Sequence, residues 1–212
     1  MIKNNVQKVL SALPGHVELV AAAKSRSVEE ILEAIDGGVK TIGENYVQEA
    51  EEKFSVIARK VKWHFIGSLQ KNKVKRAVRI FDMIETVDSL EIAASIDKAS
   101  SEAGKIMPIL VEINSAFEKN KSGVLPQGAQ RLIKDILGFK NIRVSGLMTM
   151  GPALKTPEGY RPYFRDTKKL FDKIKSFTDI KYLSMGMSDS YYIAIQEGAN
   201  LIRLGTALFG PR

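Results

Sequence analysis

The chain has 212 residues, 44% hydrophobic and 26% charged, with a formal net charge of +8; this balance fits one soluble globular domain spanning 1–212, with a core of its own. Cysteine is absent, which excludes disulfides, thiolate metal sites and cysteine nucleophiles. Met1–Pro14 lacks an apolar run of signal-peptide length and nothing approaches a membrane span, so a cytoplasmic protein with no membrane partner is expected.

Asn4–Ser11 reads as a short helix ahead of the first strand, Val17–Ala23. Ser27 and Glu30 have capping-box spacing, Val28, Ile31, Leu32 and Ile35 follow at helical intervals, and Gly37–Gly38 can end that helix. The next strands are Thr41–Gly43, Trp63–Ile66 and Met83–Val87. Between the last two lies the densest basic stretch, Lys71–Arg79. It has no interleaved aromatics and no nucleic-acid motif around it, so a solvated helix face is expected and nucleic acid is an unfavoured partner. Asp88 and Glu91 repeat the capping pattern before a further helix, and Met107–Ile113 is the fifth strand. Pro126 suits the start of a helix whose apolar stripe is Leu132, Ile133, Ile136 and Leu137. Val144–Met150 is the sixth strand, and Gly151–Pro162, with its prolines and glycines, reads as a loop. Leu170, Phe171, Ile174 and Phe177 form another helical stripe, and Tyr182–Ser184 and Leu201–Leu204 complete the strands.

Several strand candidates are apolar without alternation, as strands covered on both faces should be. Eight of them, alternating with helices, predict a single (β/α)8 TIM-type barrel with a short extra N-terminal helix. An open doubly wound sheet shares the alternation, but no G-x-G-x-x-G turn marks a dinucleotide site.

In a barrel, chemistry gathers at the C-terminal ends of the strands, and phosphate often binds after strands seven and eight. Lys24 closes the first strand, and an amine in a partly dehydrated site there can attack an aldehyde; taken alone, it can equally be a lysine reaching solvent. Ser184–Ser188 follow strand seven and Arg203–Thr206 end strand eight. Ser188 can cap a helix beginning near Asp189, Gly205 permits close backbone approach to a phosphate, and Thr206 adds a hydroxyl. An ordinary cap and an ordinary turn would look the same. His64, inside strand three, is expected to be a hydrogen-bonded packing residue. With only His16 besides it, no histidine-rich metal site is expected.

The strings Ala22-Ala23-Lys24, Gly43-Glu44-Asn45-Tyr46-Val47-Gln48-Glu49, Trp63-His64-Phe65-Ile66-Gly67, Ser184-Met185-Gly186-Met187-Ser188-Asp189 and Arg203–Gly210 occur in order over nearly the whole chain. Together they resemble the pyridoxal-phosphate homeostasis proteins. The resemblance implies a barrel like the N-terminal domain of alanine racemase, with pyridoxal 5′-phosphate held as a Schiff base on Lys24. It implies that Ser188 and the Gly205–Thr206 backbone hold the phosphate, that Arg203 faces the pyridine nitrogen, that Asn45 lies near the ring and that Met148 packs against it. It implies a carrier or regulator of the cofactor, with apoenzymes that use it as partners and with no established catalytic residue. A small racemase or lyase is the alternative, and it needs a second acid–base group opposite Lys24. A monomer is expected, since no long apolar surface run is evident.

Overall fold

A computed structural model describes residues 1–211 of the chain. Its strands are β1 (Glu18–Ala22), β2 (Thr41–Glu44), β3 (Lys62–Phe65), β4 (Met83–Val87), β5 (Met107–Glu112), β6 (Ile142–Met148), β7 (Tyr182–Ser184) and β8 (Leu201–Leu204). They pair in parallel in sequence order, and β8 closes on β1, with Val20 opposite Arg203 and Ala21 opposite Leu204. The expected closed barrel is therefore the architecture, and the doubly wound alternative is excluded.

The helices are α1 (Ile2–Ala12), α2 (Val28–Asp36), α3 (Val47–Ile57), α4 (Val74–Ile80), α5 (Leu90–Glu102), α6 (Pro126–Ile136), α7 (Arg161–Lys175), α8 (Tyr191–Gln196) and α9 (Thr206–Phe209). The core lies in two places. Trp63, Ile42, Ile84 and Ile109 pack outward against the helices, while Val20, Met83, Leu110, Met148 and Leu201 fill the barrel interior. Every residue of β2 and of β4 is buried, which is why these segments carry no hydrophobic alternation. The helix after β8 has only four residues, and α1 completes the outer layer by packing between α2 and α9. Val6 of α1 is fully buried and Asn5 Nδ2 donates to the Leu208 carbonyl at 3.1 Å.

The capping box at Ser27 is formed in both directions, with Glu30 N donating to Ser27 Oγ and Ser27 N to Glu30 Oε2. Two sequence expectations need correction. The cap of α5 is Ser89, not Asp88: Ser89 has the extended backbone of a cap and accepts from Ile92 N, whereas the Asp88 carboxylate takes the Gly123 amide. The loop after β6 ends before Pro162, which lies in the first turn of α7; proline is at home there because its missing N–H would have no helical partner. The basic stretch Lys71–Arg79 forms a helix face tied to carboxylates: Lys71 pairs with Glu91, Lys75 with Glu102 and Arg76 with Glu51. Among the described residues, no helix is long and apolar enough to cross a membrane.

Candidate functional site

The chain leaves β1 at Ala22 and turns sharply. Arg26 N donates to the Ala23 carbonyl, and Ser25 has φ 59°, a left-handed conformation that costs a residue with a β-carbon on the order of 1 kcal/mol. Lys24 sits at the top of that turn, half-buried. Its Nζ lies 5.3 Å from the centre of the Tyr46 ring. Among the described residues it has no ion pair and no hydrogen bond, so the amine is left available.

Tyr46 follows Asn45 just after β2, and this segment is pinned by β3. A β-carbon at Gly67 would fall 2.2 Å from the Asn45 carbonyl oxygen and 2.7 Å from its Cα. Only glycine lets the two loops close to that distance, so the Gly67 of the W-H-F-I-G string serves to place Asn45.

Ser188 differs from expectation. The helix after β7 begins at Tyr191 with Ser190 at its N-cap and no capping side-chain hydrogen bond, so Ser188 lies in the turn before it and does not cap it. Gly186 makes the bend possible: its φ is +92°, and a β-carbon there would stand 2.7 Å from that of Ala194 and 2.8 Å from Tyr191 Cα. The chain thereby carries Ser188 across to the end of β8, where its Oγ accepts from Gly205 N at 3.3 Å and Ala207 N at 3.1 Å. A hydroxyl has two acceptor lone pairs and one donor. With both lone pairs engaged, Ser188 is left with its O–H to donate, which suits an anion. A β-carbon at Gly205 would meet nothing nearer than Ala22 O at 3.6 Å, so the surrounding protein does not itself demand glycine there.

Below the rim lies a buried polar chain that composition and spacing did not reveal. Arg203, 4% exposed, donates to Ser184 Oγ and, from Nη2, to the Thr149 carbonyl at 3.0 Å. Ser184 Oγ in turn donates to Glu85 Oε2 at 2.7 Å, and Glu85 Oε1 shares a 2.7 Å hydrogen bond with His64 Nδ1. Burial alone would raise the Glu85 carboxyl. The hydrogen bond and field of His64, the charge of Arg203 and the Ser184 hydroxyl outweigh it and hold Glu85 below the usual carboxylate range. Burial also lowers Arg203, against the pull of Glu85 and Glu112. His64 is thus the hydrogen-bonded interior residue expected of it. In the sequence Glu85 and Glu112 carry one signal of their place, the inward register they share with Met83 in β4 and Leu110 in β5.

The structure therefore brings Lys24, Asn45, Ser188, Gly205 and Thr206 to one end of the barrel, at the exits of β1, β2, β7 and β8. Arg203 and Met148 lie deeper. Met148 is fully buried among Val20, Met83, Leu110 and Leu201. Among the described residues, no group of three or more His, Asp or Glu side chains is arranged to hold a metal ion.

The family model for the alanine racemase N-terminal domain matches residues 1–212. The pyridoxal phosphate homeostasis protein of Aquifex aeolicus is 38% identical over 198 residues, covering 92% of this chain and 87% of that one. The protein of the same name from Schizosaccharomyces pombe is 34% identical over 216 residues, covering all of this chain and 90% of its own. Among solved structures, PipY of Synechococcus elongatus with pyridoxal phosphate bound superposes with a TM-score of 0.92 at 30% identity, covering 99% of this chain and all of that one. Barrel, motif order and relatives agree, and the chain belongs to the pyridoxal phosphate homeostasis protein family, built on the alanine racemase N-terminal domain.

Proposed function

We propose that this protein binds pyridoxal 5′-phosphate through a Schiff base on Lys24 and acts in homeostasis of the cofactor, as its carrier or regulator. The observation that carries this reading is the free Lys24 amine, set at the same barrel end as a serine whose only unspent hydrogen-bonding capacity is a donor. Relatives named for the cofactor, and a structural neighbour that contains it, support the reading.

Bound pyridoxal phosphate supplies an electrophilic aldehyde and an aromatic ring able to accept electrons. Lys24 would hold the cofactor at its aldehyde carbon. The Ser188 hydroxyl and the Gly205–Thr206 segment would receive the phosphate, Asn45 and Met148 would border the ring, and Arg203 would address the pyridine nitrogen. A cationic guanidinium disfavours a proton on that nitrogen, which makes the ring a poorer electron sink. Racemase chemistry needs an acid–base group on each face of the substrate α-carbon, and the geometry of the site supplies Lys24 for one of them. Cytoplasmic residence, a monomeric state and apoenzymes as recipients complete the proposal.

The test is absorbance of wild type and Lys24→Ala after incubation with pyridoxal phosphate and desalting, followed by borohydride reduction and peptide mapping. Wild type is expected to stay yellow and to carry the reduced adduct on Lys24. A Lys24→Ala protein that retains the chromophore equally well, or a colourless wild type, overturns the assignment. Solvent-deuterium exchange at the α-carbon of amino acids, compared with free cofactor, separates carriage from catalysis.

A further inference from the structure

The turn that carries Lys24 is gripped from behind by charged residues that play no part in the site just described. Lys53, on α3, is only 8% exposed, a rare position for lysine. Its Nζ donates to the Ala23 carbonyl at 3.0 Å, to Glu44 Oε1 at 2.6 Å and to Glu49 Oε2 at 3.4 Å. These contacts use all three ammonium protons. The same Glu49 oxygen accepts the Ser25 amide at 3.1 Å. The carbonyl just before Lys24 and the amide just after it are therefore tied to one ion pair, across the left-handed Ser25.

Fold stability alone is a poor account of this arrangement. Buried ion pairs are often replaceable by apolar side chains without loss, and Glu44 Oε2 remains buried with no hydrogen-bond partner. The contacts to Ala23 and Ser25 instead fix the backbone on both sides of one residue, the one whose amine must meet an aldehyde.

We propose that Lys53 and Glu49 form a clasp that positions Lys24 for Schiff-base formation; this rests on the cofactor reading given above. In that step the Lys24 amine adds to the aldehyde carbon, the carbonyl oxygen leaves as water with two protons from the amine, and the C=N bond remains. Neither Lys53 nor Glu49 makes a hydrogen bond or ion pair with the Lys24 amine. They act through Ala23 and Ser25 as positioning residues, keeping the lysine stem directed at the mouth.

The experiment is rapid mixing of the full chain with pyridoxal phosphate, following growth of the imine absorbance. Binding of 4′-deoxypyridoxine 5′-phosphate, which keeps ring and phosphate but has no aldehyde, is measured in parallel. Glu49→Ala is expected to slow imine formation by roughly tenfold to a hundredfold, the cost of misplacing a reacting group, with analogue binding little changed. Glu49→Gln, which keeps an oxygen for the Ser25 amide, should recover most of the rate. Lys53→Met alone strands Glu44, so the double variant Glu44→Gln/Lys53→Met tests the other half of the clasp without leaving an unpaired buried charge; it should react as slowly as Glu49→Ala. Variants that react at the wild-type rate overturn the clasp, as does a loss of analogue binding in step with the rate. A wild type that takes up neither compound overturns the cofactor reading, and the clasp with it.

Discussion

Glu112 offers a quantitative test of the electrostatics inside the barrel. It is the last residue of β5, 4% exposed, and its carboxylate accepts no hydrogen bond among the described residues. Burial first, then the field of Asp88, push its carboxyl up to about 7, with Arg203 pulling the other way. Between the ordinary value of 4.5 and 7, the folded protein holds this proton more tightly than the unfolded chain does. Stability is therefore greatest below the lower value, falls as pH rises, and levels off above the higher one. At 1.36 kcal/mol per unit, the cost of ionised Glu112 is about 3 kcal/mol at pH 8 and under about 1 kcal/mol at pH 5. Glu112→Gln keeps the shape and removes the titration. Urea unfolding of both cofactor-free proteins at pH 5 and pH 8 should show the variant gaining about 2 kcal/mol on wild type between the two conditions. An unchanged difference at the two pH values would mean that Glu112 ionises as it does in water. A variant that loses ground as pH rises would mean that the ionised carboxylate is stabilised, and the sign of the argument would be wrong.

Three further substitutions probe other parts of the fold. Arg203→Met should cost about 3–5 kcal/mol, because Glu85 is left charged in the barrel interior; adding Glu85→Gln should recover much of it, as measured by chemical denaturation. Gly67→Ala drives a β-carbon against the Asn45 backbone and should cost about 2 kcal/mol or more, with weaker retention of pyridoxal phosphate after desalting. Ser27→Ala removes the capping box of α2 and should cost about 1 kcal/mol, a fall in Tm of about 2–4 °C by calorimetry.

The eight strands, the capping box at Ser27 and the strand-end positions of Lys24, Asn45, Ser188 and Gly205 were legible in the sequence. Each rests on near-neighbour physics: local hydrophobic runs set the strands, and parallel β/α alternation fixes which strand ends share a face. The family resemblance added the cofactor, which spacing alone did not supply. Side-chain direction and long-range partners were beyond such reading. Ser188 looked like the cap of its own helix, yet its hydroxyl crosses to the amides of Gly205 and Ala207. Nothing in the spacing of Glu49 links it to Lys24, yet it accepts the Ser25 amide beside that residue. Glu85 lies in a strand whose local run gives no sign of a partner for a buried charge, because inside a closed barrel a carboxylate stays ionised by what other strands bring to it. Glu85 owes its ionised state to His64 on β3, Ser184 on β7 and Arg203 on β8. Closure of the sheet decides that partnership, since residues up to 118 positions away meet only once β8 has paired with β1.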